Sequence, residues 1–221
     1  MDVTHISCGQ DGWAHLAAVI DCHDREVIGY EFALRSRAKE AERAVEAACL
    51  QRFGTLRPVG APVLRSDNGL IFQSRRFRQA CRDYRLQQEF ITPYTPEQNG
   101  IIERFFRSLK EECVWQQTFQ TFEEARRIIR DWVQWYNHER PHQALGYRSP
   151  VQYRAQQSTQ VLDFKGALQS RETVRSVRAI SISVAFWRFD PSTSITIKRS
   201  RSLSGPASPR AWDPNRMILS G

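Results

Sequence analysis

Residues 13–34 read WAHLAAVI, DCHDR, EVIGYEFAL: two apolar runs around a short polar link. Trp13 to Ile20 is interrupted only by His15, and Glu26 to Leu34 forms the second run. Asp21-Cys22-His23-Asp24 between them has the composition of a turn. Val3 to Ser7, just upstream, fits a short strand ahead of both. Three strands joined by short links predict an antiparallel meander.

Downstream the period changes. Ala38 to Phe53 is rich in alanine and glutamate and is followed by Gly54, which predicts a helix with a glycine end. Pro62 to Ser66 is a brief apolar strand running into Asp67-Asn68-Gly69. Ser74 is placed to cap a helix carrying Phe77, Cys81 and Tyr84 on one face. Glu89-Phe90-Ile91 reads as a strand, and Pro93 to Gly100 as a loop. Ile101 to about Cys113 sets Ile102, Phe105, Phe106, Leu109 and Cys113 on one stripe. Thr121 and Glu124 form a capping-box pattern for a helix bearing Phe122, Ala125, Ile129, Trp132, Val133 and Tyr136, closed by Pro141. A meander followed by strands alternating with helices predicts an α/β fold, a mixed sheet flanked by helices.

The chain has 221 residues, 41% hydrophobic and 25% charged, a globular composition. No apolar run approaches membrane-spanning length, and the start carries no basic-then-apolar leader. The five cysteines form no Cys-x-x-Cys pair, consistent with reduced thiols in a cytoplasmic protein. The net charge of +8 is unevenly placed. Residues 1–157 hold 22 Lys and Arg against 20 Asp and Glu, and residues 158–221 hold 10 against 4. Charge is therefore weak grounds for nucleic-acid binding by residues 1–157. Residues 1–157 are read as one domain. Residues 158–221 are read as a basic tail, largely disordered, with RSRSLSGPASPR at 199–210 low in complexity and a candidate strand at Ala179 to Phe189.

Acidic residues at element ends are the candidate chemistry. Asp67 follows a strand, Asp2 opens the first strand, and Glu103 lies in the first turn of a helix. Arg107 and Lys110 follow Glu103 at helical spacing. Carboxylates converging on one sheet edge hold the divalent ions that assist phosphoryl transfer. Singly, each has an ordinary explanation: a turn, an i,i+4 surface pair, a residue near a terminus.

Together they have a specific spacing. Thirty-five residues separate Asp67 from Glu103. Asp2-Val3-Thr4, Arg65-Ser66-Asp67-Asn68-Gly69 and Thr92-Pro93-Tyr94-Thr95-Pro96-Glu97-Gln98-Asn99-Gly100-Ile101-Ile102-Glu103-Arg104 occur in that order. Arg107 to Glu112, Trp135-Tyr136-Asn137, Arg140-Pro141-His142, Ala144-Leu145-Gly146-Tyr147 and Pro150 follow. This series resembles the Asp, Asp-35-Glu pattern of retroviral integrases and integrase-like insertion-sequence transposases of the OrfB type, over residues 2 to about 155.

The resemblance implies a ribonuclease-H-like fold with a mixed five-stranded sheet. It implies two magnesium or manganese ions on Asp2, Asp67 and Glu103, and a two-step reaction on DNA. Water would first cleave a strand to leave a 3′ hydroxyl, which would then attack a target phosphodiester. It assigns DNA contacts to Gln98, Asn99, Arg107 and Lys110. It also implies a homo-oligomer on DNA and a bacterial, nucleoid-associated location with no membrane partner.

Two further expectations concern histidines and tryptophans. Pro141 between His138 and His142 speaks against a zinc pair, so Arg140 to Pro150 is expected to pack the last helix on the core. Trp132 and Trp135 are expected in the core or an interface. Compared with the family, little precedes Asp2 and the tail has no counterpart. A truncated copy that only binds DNA or pairs with transposase subunits is therefore the alternative expectation.

Overall fold

Strand β2 (Trp13–Ile20) is apolar on both faces because both faces are covered. Ala14, Leu16, Ala18 and Ile20 enter one core, whereas Ala17 and Val19 enter a second on the opposite side. β1 (Asp2–Ser7) and β3 (Val27–Ala33) flank β2 antiparallel, forming the predicted meander. The computed structural model describes residues 1–93 and 95–157. The expected tail and its candidate strand lie outside the described residues.

Helix α1 (Ala38–Phe53) buries Ala41, Ala44, Val45, Ala48 and Cys49 in the second core. Its small residues let it lie tightly on β3. A Cβ on Gly29 would sit 2.5 Å from the Ala48 amide nitrogen and 2.9 Å from its Cα. Gly54 ends the helix in the left-handed region at φ 67° and donates its N–H to the Leu50 carbonyl.

β4 (Val63–Ser66) leads through one helical turn, α2 (Leu70–Gln73), into α3 (Arg75–Asp83). No pattern in the sequence announces α2. Ser74 caps α3 as expected, its Oγ accepting from the Phe77 N–H at 3.2 Å. β5 (Gln87–Phe90) then pairs parallel with β4.

The expected single five-stranded sheet is not formed. The strands make an antiparallel sheet of β1, β2 and β3 and a separate parallel pair, β4 with β5. Among the described residues, the hydrogen bond joining β4 to the β1 end runs from the Met1 amine to the Arg65 carbonyl, at 2.7 Å. A lone bond is not a ladder. The Val3 N–H is turned onto its neighbour, the Asp2 carboxylate, at 2.7 Å.

On the other face of the meander lie α4 (Gly100–Glu112) and α5 (Phe122–His138). Trp132 is fully buried among Phe105, Phe106, Ile129 and Tyr136, and Trp135 packs beside it, both as expected. Thr121 Oγ1 accepts from the Glu124 N–H at 3.3 Å, while the Glu124 carboxylate takes the Gln120 N–H rather than that of Thr121. Asn137 clamps α5 to the β3 end. Its Oδ1 accepts from the Val27 N–H at 2.9 Å and its Nδ2 donates to the Val27 carbonyl at 3.0 Å.

Beyond α5 the chain folds back, as expected. His142 and Arg148 form an antiparallel bridge, Leu145 and Pro150 are buried, and Arg140 pairs with Glu112 of α4. The five cysteines are free thiols, and burial pushes that of Cys113 up to about 12. No described helix is long and apolar enough to cross a membrane.

Candidate active site

Three elements carry the three carboxylates. Asp2 is the first residue of β1, Asp67 follows the last residue of β4, and Glu103 stands in the first turn of α4. The Met1–Arg65 bond sets the Asp2 end of β1 beside the Asp67 end of β4. Packing of Ile102, Phe105 and Phe106 into the core leaves Glu103 exposed at the side of that buried face.

The electrostatics register this placement. Burial raises the Asp2 carboxyl above its ordinary value, and the charges of Asp67 and, more weakly, Glu103 raise it further. The bond from the Val3 N–H and the positive charge of the Met1 amine work the other way. The Asn99 side chain also donates to Asp2 Oδ2, at 3.4 Å. Asp67 Oδ1 accepts the Gly69 N–H at 3.0 Å, which aims the turn back on itself.

The carboxylates feel one another without forming a tight ligand cluster. Among the described residues no three His, Cys, Asp or Glu side chains stand close enough to hold a metal ion. Their chemistry still fits a hard divalent cation: oxygen donors of like charge, one of them partly desolvated and destabilised as an anion by the other two. A cation among them would relieve that repulsion.

The four residues assigned to DNA contact are placed differently. The Gln98 amide is engaged in its own loop, accepting from the Thr92 N–H at 2.9 Å and donating to Thr92 Oγ1 at 3.3 Å. Asn99 is buried and bonded to Asp2. Arg107 is exposed and paired with Glu111 at 2.7 Å. Lys110 is half-buried in a groove with His5, Trp13 and Trp115, beside the far end of β1. Glu103, Arg107 and Lys110 therefore follow one helix without sharing one environment.

Sequence reasoning missed Asn99 as a partner of Asp2. Its type and its place just before α4 were visible, but a contact across 97 residues leaves no local signal. His142 is a structural residue. Its ring meets Tyr136 edge-on at 4.7 Å, and burial lowers it to about 4, assisted by the Arg140 charge. His138 is exposed.

Comparisons with known proteins bear on the family and the fold. Two family models, both described as integrase core domain, match residues 1–96 and 84–150. An uncharacterized transposase-like protein of Haemophilus influenzae is 30% identical over 155 residues, 70% of this chain and 69% of that protein. A putative transposase for insertion sequence IS150 of Escherichia coli is 29% identical over 142 residues, 64% of this chain but 49% of that protein. The catalytic core domain of BIV integrase superposes with a TM-score of 0.51 at 19% identity, covering 72% of this chain and 96% of that domain. At that identity the likeness speaks for the fold.

Proposed function

The chain belongs to the integrase-core family of insertion-sequence transposases, and on that premise we propose that it is a catalytic core that cuts and joins DNA strands at Asp2, Asp67 and Glu103. The observation that carries the reading is geometric: the Met1–Arg65 bond brings the Asp2 end of β1 to the Asp67 end of β4, and Asn99, at the head of the helix that carries Glu103, donates to Asp2. Three carboxylates from separate elements sharing one field are an expensive arrangement in a fold held together by apolar packing.

Asp2, Asp67 and Glu103 would hold magnesium or manganese. Such ions neutralise the phosphate and sharpen the attacking oxygen when bound. The protein's own residues supply position. Asn99 fixes one oxygen of Asp2, leaving Val3 to orient the other. Gln98 braces the loop that leads into α4. Arg107 would exchange Glu111 for a backbone phosphate, and Lys110 would add a second cation one turn further on. Asn99 thus serves as a positioning residue first and a DNA contact second. A multimer on DNA belongs to the same proposal, and the likeness in fold to a chain of the simian T-cell lymphotropic virus intasome supports it.

The test is to incubate the protein with labelled duplex ends and magnesium or manganese, and to resolve nicked and joined products. Asp67→Asn is expected to abolish both products while leaving the thermal midpoint in place. The rival reading is a protein that only binds DNA or pairs with transposase subunits, and the lack of a ready-made ligand cluster among the described residues favours it. Wild-type protein that retains duplex DNA without ever cutting it would decide for that rival.

A further inference from the structure

His5 of β1 and His15 of β2 stand directly opposite each other in the antiparallel register. Their ring centres lie 4.7 Å apart, with the planes inclined at 70°. Side chains alternate along a strand, so the pair shares its face with Val3 and Ala17, which pack into the α1-side core. One step further along that face His5 is exposed and His15 half-buried.

Phenyl rings would serve this contact as well. Imidazoles bring nitrogens, and these are unused within the fold. Among the described residues neither ring has a hydrogen bond or an ion pair, and His15 Nδ1 is buried without a partner. Glu31, the carboxylate on the neighbouring row of β3, is held by Arg43 at 3.0 Å. Ala33, opposite His15 on β3, offers only a methyl group. Buried polar atoms are rarely left so, and the partner has to come from outside the chain.

The spacing selects a cation over a water. Zinc–imidazole bonds of about 2.0–2.1 Å put a bound ion roughly 3.2 Å from the ring centre. Two rings sharing one ion at a right to tetrahedral angle then have centres about 4.5–5.2 Å apart, which includes the observed separation. A water bridging the two nitrogens at about 2.8 Å would hold the centres about 5.5 Å or more apart.

We propose that His5 and His15 form a two-histidine site for a divalent transition cation of the zinc class, clamping β1 to β2 on the strand that begins at Asp2. Imidazole suits zinc, nickel and copper, whereas magnesium takes oxygen ligands, so this pair and the carboxylates accept different ions. Water completes the coordination on the exposed side. Because the pair exists only in the folded chain, the ion stabilises the fold in step with its occupancy.

The test adds zinc to untagged protein carrying Cys22→Ser, which removes the exposed thiol, in excess magnesium, which fills oxygen sites. Calorimetry, thermal melting and the imidazole proton resonances are the readouts. One zinc per chain is expected, with the His5 and His15 resonances shifting together and ahead of those of His23 and His138. His5→Ala, at an exposed position, and His15→Phe, which keeps the ring contact, are each expected to weaken zinc binding at least tenfold and to remove the rise in midpoint that zinc brings. Asp67→Asn is expected to change neither. The proposal is overturned if no zinc binds, or if it binds while the His5 and His15 resonances stay in place. It is equally overturned if either histidine variant binds as tightly as its parent, or if Asp67→Asn abolishes uptake.

Discussion

Gly29→Ala adds one methyl group where β3 packs directly on the backbone of α1. The new Cβ would lie 2.5 Å from the Ala48 amide nitrogen, 2.9 Å from its Cα and closer still to the Ala44 carbonyl oxygen. These are backbone atoms of α1 and cannot rotate aside. Ordinary contact distances are about 3.5 Å or more, so α1 must withdraw by roughly 1 Å. Overpacking of this kind costs about 1–3 kcal/mol, and this case belongs at the upper end because a whole helix shifts. The withdrawal also loosens Ala41, Ala44, Val45, Ala48 and Cys49 against the core. Against this, alanine restricts the unfolded chain and returns about 0.4–1 kcal/mol. The expected net loss is about 2 kcal/mol, or a fall of roughly 4–8 °C in Tm for a domain of this size. Urea unfolding followed by tryptophan fluorescence measures it. Gly100→Ala is the matched control, since nothing lies within 4 Å of its added Cβ and it stands in helical backbone. An unchanged or raised midpoint in Gly29→Ala would refute the claim that this glycine is required for space.

Further outcomes follow from other contacts. Asn137→Ala leaves the Val27 N–H and carbonyl without their partner and should cost about 2–4 kcal/mol in the same urea assay. His142 falls from 6.5 to about 4 on folding, so its neutral form stabilises the fold fully above pH 6.5. That stability is lost as pH drops toward 4, by about 3 kcal/mol at full strength and nearer 2 after solvent screening. His142→Phe should flatten the decline between pH 6.5 and 4, as read by melting at a series of pH values. Arg107→Ala should leave melting unchanged, weaken duplex binding for all sequences alike and reduce the slope of log K against log salt by about one.

Much of the fold was legible because its signals are local. The Trp13–Ile20 run, the Gly54 stop, the Ser74 cap and the stripe from Ile102 to Leu109 each follow from neighbouring residues. What the sequence could not reveal depends on distant partners. Whether β1 and β4 join is decided across 64 residues at the Met1–Arg65 contact, and periodicity says nothing about it. The single turn Leu70–Gln73 was hidden because four residues are too few for a helical pattern. The candidate acids stand out in the sequence by spacing and order, but their environments do not. Asn99 reads as a polar loop residue and proves to be buried on Asp2. Lys110 shares a helix with Glu103 yet lies in a separate groove.

Manganese titration of the DNA-bound protein, followed by electron paramagnetic resonance, addresses the three-carboxylate site most directly. Wild-type protein should take up manganese, and Asp67→Asn and Glu103→Gln should each release it, with an accompanying loss of roughly a thousandfold in cleavage rate. Equal uptake by wild type and both variants would mean that these acids do not hold the ion.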